Sequence, residues 1–183
     1  MKSRLTKKLP AQLNGDHRAT RVSVAEKVLQ LPIRLSRPYS ILVVEDNGSD
    51  VFLLERALNR QHIDFRLTHL CDGEAALVFI RREVPYAGHP RPDLILVDLN
   101  LPKVGGEDVI RAVRSARHLQ GVPACVWSSS ESLCDRESLS RLGVDQFISK
   151  PSGLEQFMQI GKTLQNLLAG LSVKLNPATP SLA

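Results

Sequence analysis

The stretch Pro92 to Pro102, Pro-Asp-Leu-Ile-Leu-Val-Asp-Leu-Asn-Leu-Pro, constrains the fold of this chain more than any other. Its unbroken apolar run, Leu94 to Val97, reads as a short strand buried on both faces, the pattern of a central strand in a parallel sheet. Asp98 breaks the run. A carboxylate at the carboxyl end of such a strand stands where open α/β sheets bind their ligands. The plainer reading is an aspartate that caps the following turn. What other strand ends supply decides between the two.

The rest of the chain repeats the pattern. Ile41-Leu42-Val43-Val44 is a second continuous apolar run and ends in Glu45-Asp46-Asn47-Gly48, a buried strand followed by an acidic loop. Ser49 to Arg60 carries Val51, Leu54 and Leu58 on one helical face. Phe65 to Cys71 alternates more and holds Arg66 and His69, as an edge strand does. Asp72-Gly73 opens a helix with Ala75, Ala76, Phe79 and Ile80 inward, and a proline-rich loop, Glu83 to Pro92, leads into the Asp98 strand. Beyond it come a helix over Glu107 to His118, a strand over Val122 to Trp127, the hydroxyls Ser128 to Ser130, a polar helix over Glu131 to Leu142 and a strand over Asp145 to Ser149. The last helix starts at Ser152-Gly-Leu-Glu155, a capping-box spacing, and its apolar stripe is Leu154, Phe157, Met158, Leu164, Leu168 and Leu171. Strand and helix alternate through five units, which with right-handed crossovers predicts a doubly wound parallel sheet covered by helices on both faces.

Composition refines the frame. The 24 Lys and Arg against 19 Asp and Glu look basic, but residues 1–38 carry nine of the cations against Asp16 and Glu26, so the remainder is mildly acidic. A basic, poorly ordered or loosely docked extension over 1–38 is expected, with a short amphipathic partner-binding helix at Thr20 to Leu31 as the less favoured alternative, the folded domain over 39–171 and a tail over 172–183. The acidic body argues against direct DNA binding. Cys71, Cys125 and Cys134 have neither disulfide-scaffold density nor metal spacing, and no apolar segment approaches membrane length. A soluble cytoplasmic protein without membrane insertion is the expectation.

The strand ends then combine. The first brings Glu45 and Asp46, the third Asp98 and Asn100, the fourth Ser128, and the fifth Lys150 followed by Pro151. Carboxylates converging in one small site repel one another unless a cation sits among them, and oxygen ligands alone suit a hard ion such as Mg²⁺. A lysine and a hydroxyl beside them supply positive charge and a donor. Around one carboxylate, these groups form a site for placing phosphate on it.

At this level the sequence resembles the receiver domain of two-component response regulators. The resemblance spans Tyr39 to about Leu171 and rests on Val-Val-Glu-Asp-Asn (43–47), Asp-Leu-Ile-Leu-Val-Asp-Leu-Asn-Leu-Pro (93–102), Ser128 and Phe-Ile-Ser-Lys-Pro (147–151). It implies a flavodoxin-like sheet of order 2-1-3-4-5. It also implies that Asp98 is the phosphoacceptor, that Glu45, Asp46, Asp98 and the Asn100 backbone carbonyl hold Mg²⁺, and that Lys150 pairs with the phosphoryl group. Ser128 and Phe147 become the switch pair, and the Lys150–Pro151 bond is expected to be cis. The implied partner is a sensor histidine kinase or histidine phosphotransfer protein, with a homodimer through the face of helix 4, strand 5 and helix 5 as a further expectation. Within the family, the Glu-Asp-Asn start, the long loop and Asp-Leu-Asn-Leu-Pro are most similar to the small regulators of bacterial phytochrome-type kinases. Since only residues 172–183 follow the last helix, a stand-alone regulator that signals by protein contact is expected, and no enzyme beyond autocatalytic phosphorylation and dephosphorylation. Ser128 stands where threonine is commoner, Gly105 replaces an acid or proline, and Trp127 is bulkier than the usual neighbour, which bears on how freely the helix 4 surface rearranges.

Rival readings differ in what they require. A haloacid-dehalogenase-like phosphatase wants a second aspartate two residues after the nucleophile, where this chain has Asn100. A nucleotide-binding flavodoxin-like module wants a glycine-rich first loop, and this loop is acidic. A pseudo-receiver scaffold would lack part of the acid, hydroxyl and lysine set that is complete here.

Overall fold

The structure is a computed structural model that describes residues 37–129, 141–151 and 153–175, with side chains to residue 170. All belong to the second of two units into which contacts divide the chain, Ile33–Ala183. The expected extension, apart from Arg37 and Pro38, lies outside the described residues. So do the Thr20–Leu31 helix, all but the end of the Glu131–Leu142 segment, Cys134, the Ser152 cap and residues 176–183.

Five strands, β1 (Tyr39–Val44), β2 (Phe65–Leu70), β3 (Leu94–Val97), β4 (Ala124–Ser128) and β5 (Gln146–Ser149), form one parallel sheet in the expected order β2-β1-β3-β4-β5. Between them run α1 (Gly48–Arg60), α2 (Gly73–Ile80) and α3 (Gly106–Ser115), and a C-terminal helix spans Leu154–Leu175. Pairing of Val44 with Leu70 and Val97, of Val97 with Val126, and of Ser128 with Ser149 brings the carboxyl ends to one edge. Whatever follows each strand is therefore delivered to one place.

The side-chain period of two sorts each strand between two half-cores. Ile41, Val43, Leu94, Leu96, Cys125, Trp127 and Ile148 pack with Val51, Leu54 and Leu58 of α1 and with Phe157, Ile160, Leu164 and Leu168 of the C-terminal helix. Leu42, Val44, Ile95, Val97, Ala124 and Val126 pack with Ala76, Phe79 and Ile80 of α2 and Val109, Ile110 and Val113 of α3. Each large aliphatic or aromatic side chain so buried contributes about 1.5–3 kcal/mol. Gly161 lets the C-terminal helix close on α1, because a Cβ there would come within 2.3 Å of the Ala57 carbonyl oxygen.

Several boundaries move from their expected places for local reasons. β4 begins at Ala124 rather than Val122, since Pro123 has no N–H to donate, although its carbonyl accepts from Ile95 N at 3.0 Å. α3 stops at Ser115, and a 3₁₀ turn over Arg117–Leu119 takes over before Gly121 at φ +76°. The C-terminal helix continues to Leu175, past Leu171, because the first proline beyond is Pro177 and the residue before a proline disfavours helix. Leu154, expected in its apolar stripe, is 64% exposed, since it opens the helix ahead of the turn that reaches the sheet. The cis peptide of the described residues is Val84–Pro85 in the long loop, not Lys150–Pro151 as expected.

Candidate functional site

At the carboxyl edge, Glu45 continues β1 by donating its N–H to Leu70 O at 2.9 Å, and its side chain is fully buried. Asp46 is exposed. Asn47 ends the turn: its N–H donates to Glu45 Oε1 at 3.0 Å, while its own Oδ1 accepts from Ser49 N at 3.0 Å and caps α1. Asp98 follows β3, its N–H donating to Val44 O at 2.9 Å. Only 5% of Asp98 is exposed, so access to it is from the loop side alone.

The Asp98 carboxylate is held at both oxygens. Oδ1 accepts from Ser128 Oγ at 2.8 Å and from Asn100 N at 3.0 Å, and Oδ2 accepts from Lys150 Nζ. The Lys150 backbone N–H donates to Ser128 O at 3.0 Å, which extends β5 by a residue and turns the side chain inward despite the absence of the expected cis bond. Its ammonium also donates to Glu45 Oε2, lies 3.1 Å from Asp50 Oδ2, and stands 4.9 Å from the centre of the Trp127 ring. Phe147 is half-buried against the α2–α3 half-core, one side of the sheet away from Trp127.

Burial pushes the Glu45 carboxyl up, and the bonds from Lys150 and the Asn47 N–H do not fully offset it. For Asp98, burial also pushes upward, but Lys150, the Asn100 N–H and Ser128 outweigh it and hold the carboxyl below the usual range. Lys150 shows the complementary balance, with burial lowering and the Asp98 and Glu45 bonds raising its affinity for the proton. Asp98 is thus an anion and Lys150 a cation at neutral pH. One ammonium faces Glu45, Asp50 and Asp98, and Asp46 adds further negative charge. Ligand oxygens of Glu45, Asp46 and Asp98 all lie within 4.8 Å of one another, an all-oxygen set that fits a hard divalent ion.

Sequence reasoning passed over two members of this cluster. Asp50 lies in the first turn of α1, and helical side chains lean toward the N-terminus, so an acid there reaches back to the strand ends. That position is readable once Asn47 is taken as the cap. His69, whose Nε2 is 2.7 Å from Glu45 O, has no such signal, because the contact is made across two strands.

Three comparisons bear on this arrangement. The family described as the response regulator receiver domain matches residues 41–162. The response regulator Rcp1 of Synechocystis sp. is 33% identical over 129 residues, 70% of this chain and 88% of Rcp1. The chain belongs to the response regulator receiver family. Among solved structures, the phosphorylated cyanobacterial phytochrome response regulator RcpA is 35% identical with a TM-score of 0.66, covering 79% of this receiver and 99% of that chain. The Mn²⁺-bound form of Rcp1 is 30% identical with a TM-score of 0.61, covering 80% and 100%. This receiver is a two-component signalling protein whose acidic cluster lies where strand order reverses between β1 and β3, the ligand-binding place of open α/β sheets. Among the described residues, no helix is long and apolar enough to cross a membrane.

Proposed function

We propose that this receiver accepts a phosphoryl group on Asp98 from a phosphohistidine of a sensor histidine kinase or histidine phosphotransfer protein, and signals by protein–protein contact. The observation that carries the reading is the Asp98 carboxylate itself, buried, ionised and held by Ser128, Asn100 N–H and Lys150 beside Glu45. A carboxylate oxygen attacks the phosphorus of the donor. The new P–O bond forms as the phosphorus–nitrogen bond breaks, and its electron pair leaves with the imidazole, which ends neutral because its other ring nitrogen carries a proton.

Glu45, Asp46, Asp98 and the Asn100 carbonyl would hold Mg²⁺, which when bound offsets phosphoryl charge beside these acids. Lys150, released in part from Glu45 and Asp50, pairs with a phosphoryl oxygen, and its charge is in place before transfer begins. The Ser128 hydroxyl, now on Asp98 Oδ1, turns to donate to the phosphoryl group, and Phe147 repacks in response. Phosphorylation in this account shifts an equilibrium between two arrangements of that pair, read by a partner or a second copy at the face of the Glu131–Leu142 segment, β5 and the C-terminal helix. The chain acts as acceptor rather than enzyme, with at most autocatalytic phosphorylation and dephosphorylation, in the cytoplasm. The likeness to RcpA favours a phytochrome-type kinase as the donor.

Incubation with Mg²⁺ and acetyl phosphate, followed by peptide mapping, tests the reading. One hydroxylamine-labile phosphoryl group on Asp98 is expected, and none in Asp98→Asn. No uptake by the unsubstituted chain would leave the scaffold reading standing, and uptake by Asp98→Asn would place the acceptor on another residue.

A further inference from the structure

Trp127 is the single tryptophan of the chain, lies in β4, and has no exposed surface. Its Nε1 finds no hydrogen-bond partner among the described residues. A buried donor left unpaired is disfavoured, and phenylalanine or leucine would fill core space without one. Packing alone is therefore a poor account of an indole here. What the indole offers beyond bulk is an electron-rich face, and that face is in use. The Lys150 ammonium stands 4.9 Å from the ring centre, within cation–π range, while the ring meets Phe157 of the C-terminal helix edge to face at 6.0 Å and 78°.

The lysine needs such a guide. Its four-carbon stem is flexible, its three protons are contested by Glu45, Asp50 and Asp98, and only the bond to Asp98 serves the phosphoacceptor. The carboxylates pull the ammonium without fixing the path of its stem. A flat π face, its ring packed against Phe157, restricts the lysine to positions over the ring. Side-chain attraction and steric confinement act together there, in a site where water competes little.

We propose that Trp127 is a positioning residue for phosphoryl transfer, its ring face holding the Lys150 ammonium in register with Asp98. The proposal rests on the reading of Asp98 as phosphoacceptor. It moves the consequence of Trp127 from the helix 4 surface, where the sequence pointed, to the reacting charge. Loss of the face lets the ammonium spend more time on Glu45 or Asp50, so transfer slows while the fold persists.

Because Trp127 is the only tryptophan, biosynthetic incorporation of mono-, di- and trifluorotryptophan alters one ring in the full chain. Fluorine drains charge from the π face at nearly constant shape. The rate of Asp98 labelling by acetyl phosphate with Mg²⁺ is expected to fall stepwise, by about tenfold across the series. Trp127→Phe is expected to stay within about threefold of the unsubstituted chain, and Trp127→Leu to fall at least about tenfold. Thermal unfolding of each sample separates lost positioning from lost structure. A rate that ignores fluorination in well-folded protein overturns the Trp127 proposal alone. No label on the unsubstituted chain overturns the phosphoacceptor reading instead.

Discussion

The two ends of the sheet carry similar charged groups and use them differently. At the amino end, Asp93 accepts from Arg37 at 2.7 Å on each oxygen and from Ser40 N at 2.8 Å, and its own N–H donates to Ser40 O at 2.7 Å. Arg114 donates to Val122 O at 2.9 Å, to Gly143 O at 2.7 Å and to Asp145, which in turn accepts from Ala124 N at 2.8 Å. Arg91 reaches His118 O at 2.8 Å and Gln120 O at 2.7 Å. These guanidinium forks meet carbonyls and carboxylates in matched geometry, and the result is a set of staples. At the carboxyl end, one ammonium is shared among Glu45, Asp50 and Asp98, and Asp46 adds to the excess of negative charge. Matching makes structure, and mismatch leaves a demand for something from outside.

The contrast can be broken most sharply with one variant at each end. Asp98→Asn is expected to abolish acetyl phosphate labelling, a loss of at least about a hundredfold, while Arg37→Ala keeps labelling within about twofold. Urea unfolding of Arg37→Ala is expected to show a loss of about 1 kcal/mol, since Arg37 is half exposed while Asp93 stays buried without its partner. A labelling defect in Arg37→Ala as deep as that of Asp98→Asn would erase the division between staple and site. Next in size is the response to Mg²⁺. Saturation at ten times the dissociation constant raises unfolding free energy by about 1.4 kcal/mol, and Asp46→Asn is expected to lose the rise while Arg37→Ala retains it.

Asp72 sharpens the comparison, because it is a staple at the site's own edge. It follows β2 and caps α2, accepting from Ala75 N at 2.7 Å and from Lys103 at 2.7 Å, and these bonds hold its carboxyl below the usual range. A carboxyl with a lowered pKa in the folded chain stabilises above its unfolded value and loses that contribution as pH falls through the folded one. Stability measured from pH 7 downward is expected to fall less steeply in Asp72→Asn, which keeps the cap and loses the charge, with a difference at neutral pH below about 1 kcal/mol. Equal slopes would remove Asp72 from the staples. The smallest effect concerns thiols: Cys125, buried in β4, has its pKa pushed up to about 12, whereas Cys71 is exposed beside Asp72. Iodoacetamide at pH 8 is expected to modify Cys71 and spare Cys125 in the native chain, as read by peptide mapping.

The fold was legible because parallel strands are buried on both faces and so write themselves as continuous apolar runs. Ile41–Val44 and Leu94–Val97 could hardly be anything else. Glu45, Asp98, Ser128 and Lys150 were legible because each ends or directly follows a strand, and a parallel sheet gathers strand ends at one edge. What stayed hidden depends on reach across sequence. Arg37 meets Asp93 across 56 positions, and Lys150 meets Trp127 through a side-chain path that no spacing rule encodes. Leu154 misled because periodicity assigns a face but not where a helix first touches the sheet. Asp50 lay between, readable from its cap and overlooked because the acids before it were sufficient.

The two half-cores separated by the sheet have a consequence for how the chain tolerates change. Val109 and Leu164 share no cluster, each packing with its own side of the same strands. Truncations at the two positions are expected to add in unfolding free energy within about 0.5 kcal/mol in a double-mutant cycle. Either half can then drift or be redesigned while the other keeps its packing, so the helices on one side of the sheet need not evolve in step with those on the other.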